Sequence, residues 1–174
     1  MKLKKNNILI VGGTGFIGNA LAKKVIKNGN QVYSFSTKKK IKNKINKVIY
    51  LKGDIKRLSS LKKAFKNKTF DHVVNCGGYV EHKNKKEVED SHYIGTKNLY
   101  NFFKGKKIKS FIQIGSSSEY GDVKSPHSES TKCKPKGIYG IFKYKATKFL
   151  LDKYKKNKFP VRILRFYQLY GPYQ

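Results

Sequence analysis

Arginine is nearly absent from this chain of 174 residues: only Arg57, Arg162 and Arg165 stand among 40 basic residues, against 10 acidic ones. A net charge of +30 would suit a nucleic-acid or anionic-membrane surface. Such a surface concentrates its charge and interleaves arginine with stacking aromatics. Here the lysines are scattered over every predicted helix and loop. The excess reads as a compositional habit, and no specific nucleic-acid partner is expected beyond loose polyanion binding at low salt. Cysteine is also scarce. Cys76 and Cys133 are too few and too far apart for a metal cluster or a disulfide framework, which fits a reducing cytoplasm. His72, His82 and His127 lack acidic or cysteine neighbours at ligand spacing, so no metal is assigned. No apolar run approaches the roughly 20 residues of a membrane span. The segment after Met1 is a short strand rather than a signal peptide, so a cytoplasmic protein with no membrane partner is expected.

What the chain does have is a glycine-rich turn in a telling place. Ile8 to Val11 is an apolar strand run that breaks into Gly12, Gly13, Thr14, Gly15, Phe16, Ile17 and Gly18. An amphipathic helix follows, from Phe16 to about Asn28. In a strand–turn–helix setting, Gly12 permits the tight turn, Gly15 lets backbone N–H groups approach a pyrophosphate, and Gly18 lets helix and strand pack closely. The helix N-terminus then faces the anion with its positive end.

Strands and helices alternate along the rest. Gln31 to Ser36, Lys47 to Leu51, Asp71 to Cys76, Lys109 to Gly115 and Val161 to Phe166 read as strands. Ile55 to Lys66, with Asp54 as its N-cap, Lys85 to Phe103 and Ile138 to Lys156 read as helices. The inner face of the Lys85 to Phe103 helix is Val88, Ile94, Leu99, Phe102 and Phe103. Near-continuous apolar strands mean a parallel sheet covered on both faces, so the expected fold class is α/β, a doubly wound Rossmann sheet. A chain of this length holds one core, hence one domain over residues 1–174. Every distinctive element falls at the C-terminal edge of the strands, where ligands bind in open parallel sheets. The segment from Glu119 to Gly137 is a long loop.

Tyr139 and Lys143 stand four apart on a helix, so both project from one face. A nearby ammonium favours the phenolate and is expected to lower the Tyr139 pKa, making the phenol a usable acid or base. Ser116, at the end of the preceding strand, could orient the same substrate oxygen. The same spacing recurs by chance at Tyr100 and Lys104 in a chain with 12 tyrosines. The setting separates the two.

Together these residues resemble the extended short-chain dehydrogenase/reductases, the NAD(P)-dependent epimerase/dehydratase group acting on nucleotide-sugars. The matching motifs are residues 12–18, Gly53-Asp54-Ile55, Ile94-Gly95-Thr96, Gly115-Ser116-Ser117-Ser118-Glu119-Tyr120-Gly121, Tyr139 to Lys143, and Leu164 to Pro172, in the family's order. The resemblance implies a catalytic set of Ser116, Tyr139 and Lys143, with Lys143 also holding the nicotinamide ribose. It implies adenine contacts from Asp54 and Ile55, and ribose and pyrophosphate contacts from Cys76, Gly77 and Gly78. Ser116, Ser117, Ser118, Tyr167 and Gln168 are expected on the substrate side. It also implies a homodimer through the two long helices and a nucleotide-sugar substrate.

Departures from the family pattern narrow the reaction. NAD-dependent members carry an acidic residue at the end of the second strand; this chain has Ser36, Thr37 and Lys38, which favours NADP over NAD. Sugar 4,6-dehydratases place an acid two residues after the catalytic Ser or Thr. Here that position is Ser118, and Glu119 is one further on; on extended backbone it would point to the opposite side. Dehydration is disfavoured, leaving C4 epimerisation or reduction of a 4-keto sugar. His92 stands where the family usually has Asn; it reads as an ordinary polar residue of its helix, the alternative being a substitute in the backbone and water network behind the active site. Glu81 and His82 read as solvated. Family members continue beyond Gly171-Pro172 into a substrate domain, so the sequence reads as the N-terminal part of a longer enzyme that binds cofactor and turns over poorly alone. The alternative is a noncatalytic dinucleotide- or RNA-binding protein that keeps the fold.

Overall fold

The computed structural model describes residues 5–42, 44–79, 81 and 83–172; His82 lies outside the described residues. Six parallel strands form one sheet in the order β3-β2-β1-β4-β5-β6. They are β1 (Asn7–Val11), β2 (Gln31–Ser36), β3 (Val48–Lys52), β4 (His72–Asn75), β5 (Ser110–Ser116) and β6 (Val161–Phe166). Sequence order reverses between β1 and β4, which are hydrogen-bonded neighbours. This is the doubly wound arrangement, and the reversal opens a crevice above the C-terminal ends of those two strands.

The two faces of β1 show why the sheet must be covered on both sides. Leu9 and Val11 point into one core cluster, which takes in Leu61 of α2 (Leu58–Ala64), Leu99 and Phe103 of α4 (Gly95–Phe103), and Leu150 of α5 (Gly137–Asn157). Ile10, between them, points into a second cluster with Val32 and with Ala22 of α1 (Phe16–Lys27). Alternate residues of a strand face opposite sides, so a strand buried on both must be apolar throughout. Edge-on aromatic contacts knit the larger cluster, Phe35 to Phe65 at 4.9 Å and Phe65 to Phe102 at 5.2 Å among them.

Two elements differ from the sequence reading. The helix expected from Ile55 begins only at Leu58, and its N-cap is Arg57 rather than Asp54. Asp54 Oδ1 instead accepts the backbone N–H of Lys56 at 2.9 Å, and the carbonyl of Asp54 accepts from Arg57 at 3.2 Å. A short acid that satisfies the backbone two residues on closes a turn and delays the helix. The long helix expected over 85–103 is continuous but not uniform. It comprises α3 (Lys85–Val88), a π-helical segment Glu89–Ile94, and α4. Within it Val88, Leu99 and Phe103 are buried, whereas Ile94 is only half-buried.

Candidate active site

The glycine turn joins β1 to α1 at the reversal point of the sheet. Gly12 has φ 75°, a left-handed conformation that side chains rarely adopt, and its amide donates to the carbonyl of Phe35 at 2.8 Å. Gly18 is a close-approach position: a Cβ there would lie 2.3 Å from the carbonyl oxygen of Gly12. At Gly15, by contrast, an added Cβ would meet only that same oxygen, at 3.3 Å, so its outer side is open. Gly15 caps α1 with extended backbone, no side chain caps the helix, and no acid sits in its first turn. A turn packed tightly behind and open in front, leading into an uncapped helix start, fits a pyrophosphate.

The flanking positions fall along the same edge. Ser36 and Lys38, with Lys39, Lys40, Lys44 and Lys52, line a cleft of about 400 Å³ beyond β2 and β3. Thr37 is exposed beside it. Asp54 is half-buried, while the side chain of Ile55 turns inward to within 2.7 Å of where a Cβ at Gly95 would stand. After β4, Cys76 donates its amide to Val11 at 2.9 Å and Gly77 donates to Asn75 Oδ1 at 3.1 Å. Burial pushes the Cys76 thiol up to about 12, with Lys143 pulling weakly the other way, so it stays protonated at neutral pH.

Ser116 ends β5 and Tyr139 lies in the first turn of α5, and the structure brings them together. The Ser116 side chain lies close enough to the Tyr139 phenol to favour its ionised form. Burial raises the Tyr139 pKa above its ordinary value; the Ser116 side chain opposes this and the Glu119 charge adds to it. The expectation that Lys143 lowers this pKa is therefore corrected. Lys143 is buried, and its Nζ donates to the carbonyl oxygen of Ile114 beneath the end of β5, 5.9 Å from the Tyr139 ring centre. With the ammonium so engaged, burial governs the phenol. Burial also lowers the Lys143 pKa from 10.5 to about 8, against the pull of Glu119 and Cys76.

Glu119 corrects a second expectation. Residues Ser117–Glu119 form a 3₁₀ turn rather than extended chain. Glu119 is fully buried behind Ser116, accepting its backbone N–H on Oε1 at 2.9 Å and Arg165 Nε on Oε2 at 3.0 Å. Ser116 Oγ in turn accepts from Ser118 N at 3.1 Å, completing a capping box. Ser117 is half-buried and Ser118 exposed. Gly140 lets α5 approach this turn, since a Cβ there would stand 2.6 Å from the Ser118 carbonyl oxygen.

Tyr167 and Gln168 follow β6, whose last residue Phe166 pairs with Ser116. Both are exposed, and the Tyr167 hydroxyl lies 2.6 Å from His127 Nδ1, which ties it to the long loop. His92 is not an ordinary helix residue. It is buried, with its ring 5.1 Å from that of Tyr139. A buried polar layer that sequence reasoning missed lies under the site: Asn75 Nδ2 donates to Gln113 Oε1 at 2.8 Å and to Thr96 Oγ1 at 3.4 Å. Its signal was available, as one amide following or interrupting the apolar run of each of two strands, Val73-Val74-Asn75 and Phe111-Ile112-Gln113-Ile114. The competing Tyr100 is core: its hydroxyl accepts from Asn157 Nδ2 at 2.9 Å and its ring packs on Phe149 and Phe159. Among the described residues, no group of three or more His, Cys, Asp or Glu could hold a metal ion, and no helix is long and apolar enough to cross a membrane.

A parallel sheet with a glycine turn at its reversal point and a Ser–Tyr pair on the same edge defines a dinucleotide-binding fold of dehydrogenase type. The profile of the NAD dependent epimerase/dehydratase family matches residues 8–174, and the chain belongs to that family. It is 31% identical over 184 residues to Protein CapI of Staphylococcus aureus, covering 95% of this chain and 55% of CapI. To the UDP-glucose 4-epimerase of Vibrio cholerae it is 28% identical, covering 95% and 52%. The solved UDP-glucuronic acid 4-epimerase of Bacillus cereus, in complex with NAD, superposes with a TM-score of 0.82 at 25% identity, covering 97% and 59%. The chain thus spans a little over half the length of these relatives. Other relatives are named as a 4,6-dehydratase and a decarboxylase, so membership leaves the reaction open.

Proposed function

We propose that this chain is the cofactor-binding and catalytic part of an NAD(P)-dependent nucleotide-sugar epimerase or 4-keto-sugar reductase. The observation that carries the reading is the placement of Ser116, at the end of β5, beside Tyr139, in the first turn of α5, on the edge occupied by the glycine turn. In this reading Ser116 holds the oxygen at sugar C4 and Tyr139 moves its proton. Lys143 supports the phenol from below and meets the nicotinamide ribose. Residues 12–18, Ser36, Thr37, Lys38, Asp54, Ile55 and Cys76 to Gly78 hold the dinucleotide, and Ser117, Ser118, Tyr167 and Gln168 face the sugar. The bound cofactor supplies the hydride acceptor and donor; the residues supply alignment and the proton.

Dehydration is disfavoured because both carboxylate oxygens of Glu119 are used, by Ser116 N and by Arg165, in a fully buried position. The solved relative holds NAD, which supports a nicotinamide dinucleotide. Between the two forms we favour NADP, since five lysines and Ser36 line the cleft beyond β2. Tyr139→Phe in the enzyme assembled with its substrate-binding part is expected to abolish turnover with dinucleotide affinity retained. Unchanged cellular function in that variant would instead favour a noncatalytic binding protein. Oligomeric state is checked by sedimentation equilibrium, with a homodimer expected from the family resemblance.

A further inference from the structure

One side chain outside the Ser116–Tyr139 pair touches both halves of the site. His92 lies in the π-helical segment Glu89–Ile94 and is 6% exposed. Its ring meets the Tyr139 ring edge-on, at 5.1 Å between centroids and an interplanar angle of 81°. On its other side the imidazole fills the space over Gly78, where an added Cβ would fall 2.0 Å from His92 Cε1. The nitrogen Nε2 lies 3.1 Å from the carbonyl oxygen of Tyr79. A carbonyl can only accept, so Nε2 carries the proton in this contact. The preceding residue, Ser91, accepts the backbone N–H of Tyr79 on Oγ at 3.1 Å. Two successive residues of the π segment therefore hold both backbone polar groups of Tyr79. Single π turns inside α-helices recur at functional sites because the wider turn re-aims side chains. The carbonyl of His92 itself is satisfied by Thr96 Oγ1 at 2.7 Å.

We infer that His92 is a positioning residue that walls the Tyr139 phenol and, separately, holds the backbone of residues 78–79, so that one imidazole serves both proton transfer and cofactor seating. The inference rests on the reading above, in which Tyr139 transfers the proton and Cys76 to Gly78 hold the dinucleotide, with Tyr79 next along the chain. Among the described residues, several groups face Tyr139 from the elements packed on it. They are the Ser116 hydroxyl from β5, the Glu119 carboxylate from the 3₁₀ turn, Lys143 from α5, and the His92 ring from the π segment. Of these, His92 also contacts residues 78 and 79.

The imidazole acts in two separable ways, as a ring wall against Tyr139 and as an N–H donor to Tyr79. His92→Phe keeps the wall and loses the donor; His92→Gln keeps a donor and loses the wall. In the 174-residue chain labelled with ¹³Cζ-tyrosine, the Tyr139 signal is assigned by its loss in Tyr139→Phe, and its titration is followed against pH. Dinucleotide affinity is read by nicotinamide fluorescence with NADPH and NADH. His92→Phe should retain the Tyr139 titration and weaken the dinucleotide about fivefold, the scale of one net hydrogen bond. His92→Gln should hold affinity within about twofold while the Tyr139 titration moves down, because water replaces the ring that shields the phenol. If Phe does not reach the wild-type circular dichroism spectrum, His92→Leu serves as the wall-keeping variant. Folded variants that leave both readouts unmoved, or that move both together, overturn the inference. Should the wild-type chain bind neither dinucleotide, the cofactor reading fails, while an unmoved Tyr139 titration in His92→Gln would sink the positioning role separately.

Discussion

Glu119 and Arg165 form an ion pair at 3.0 Å in which the carboxylate is fully buried and the guanidinium side chain only 15% exposed. The pair stands directly behind Ser116, whose backbone N–H it holds in place. Arg165 also lies over the Tyr120 ring, 4.9 Å from its centre, and Tyr120 stacks on His127 at 4.4 Å. One buried carboxylate therefore anchors both the end of β5 and the start of the long loop.

Glu119→Gln keeps the size of the side chain and an acceptor for Ser116 but leaves Arg165 unpaired. A loss of about 3 kcal/mol is expected, as for breaking a buried pair on one side. Urea unfolding measures it; a loss below about 1 kcal/mol would mean that solvent or Tyr120 already satisfies the guanidinium.

Lys143 carries a cost that its removal should reveal. A lysine lowered from 10.5 to about 8 in the folded state binds fewer protons there than when unfolded. Its contribution to stability is therefore present above about pH 10.5 and is lost as pH falls through about 8. Lys143→Met should raise stability at pH 7 by about 1 to 2 kcal/mol, after allowing for the lost bond to Ile114, and should flatten the rise in stability across that window. Thermal melts between pH 7 and 10.5 provide the check, and a variant less stable than wild type at pH 7 contradicts the account.

Ser36→Asp places a carboxylate at the end of β2, beside the lysine-lined cleft. NADPH should bind about tenfold more weakly and NADH within about threefold of wild type, since a carboxylate repels a 2′-phosphate and accepts a ribose hydroxyl. Equal losses for both cofactors would remove the cleft from cofactor discrimination.

Gly18→Ala tests the packing of α1 on the turn. With a Cβ 2.3 Å from the Gly12 carbonyl oxygen, helix and turn must separate. The expected result is a stability loss of about 2 kcal/mol together with loss of dinucleotide binding. Gly29→Ala is the control, because nothing lies within 4 Å of its would-be Cβ, although its φ of 79° carries its own strain.

The strands were legible because burial on both faces leaves an unmistakable pattern: β2 (Gln31–Ser36) and β6 (Val161–Phe166) match the sequence reading at both ends. Local polar competition was not legible in the same way. Asp54 had the chemistry of a cap, and only the structure shows its oxygen spent on Lys56 instead. The spacing of Ser116 and Glu119 fits a capping box, a signal that could have replaced the assumption of extended chain. The direction of Lys143 depends on Ile114, a carbonyl 29 residues away in sequence, and no periodicity encodes it. The π turn at His92 was hidden for a related reason. Val88, Leu99 and Phe103 keep their inward positions across it, so the apolar pattern does not register the widened turn.

The two Tyr-x-x-x-Lys segments give helix polarity the force of an address. Tyr139 lies in the opening turn of α5, whereas Tyr100 lies in the closing turn of α4. Both helices run back across a parallel sheet, so their openings and closings sit at opposite rims of the molecule. A side chain's distance from the start of its helix thus decides which rim it serves. At one rim a tyrosine stands beside Ser116 and the glycine turn; at the other it is a rivet of the core.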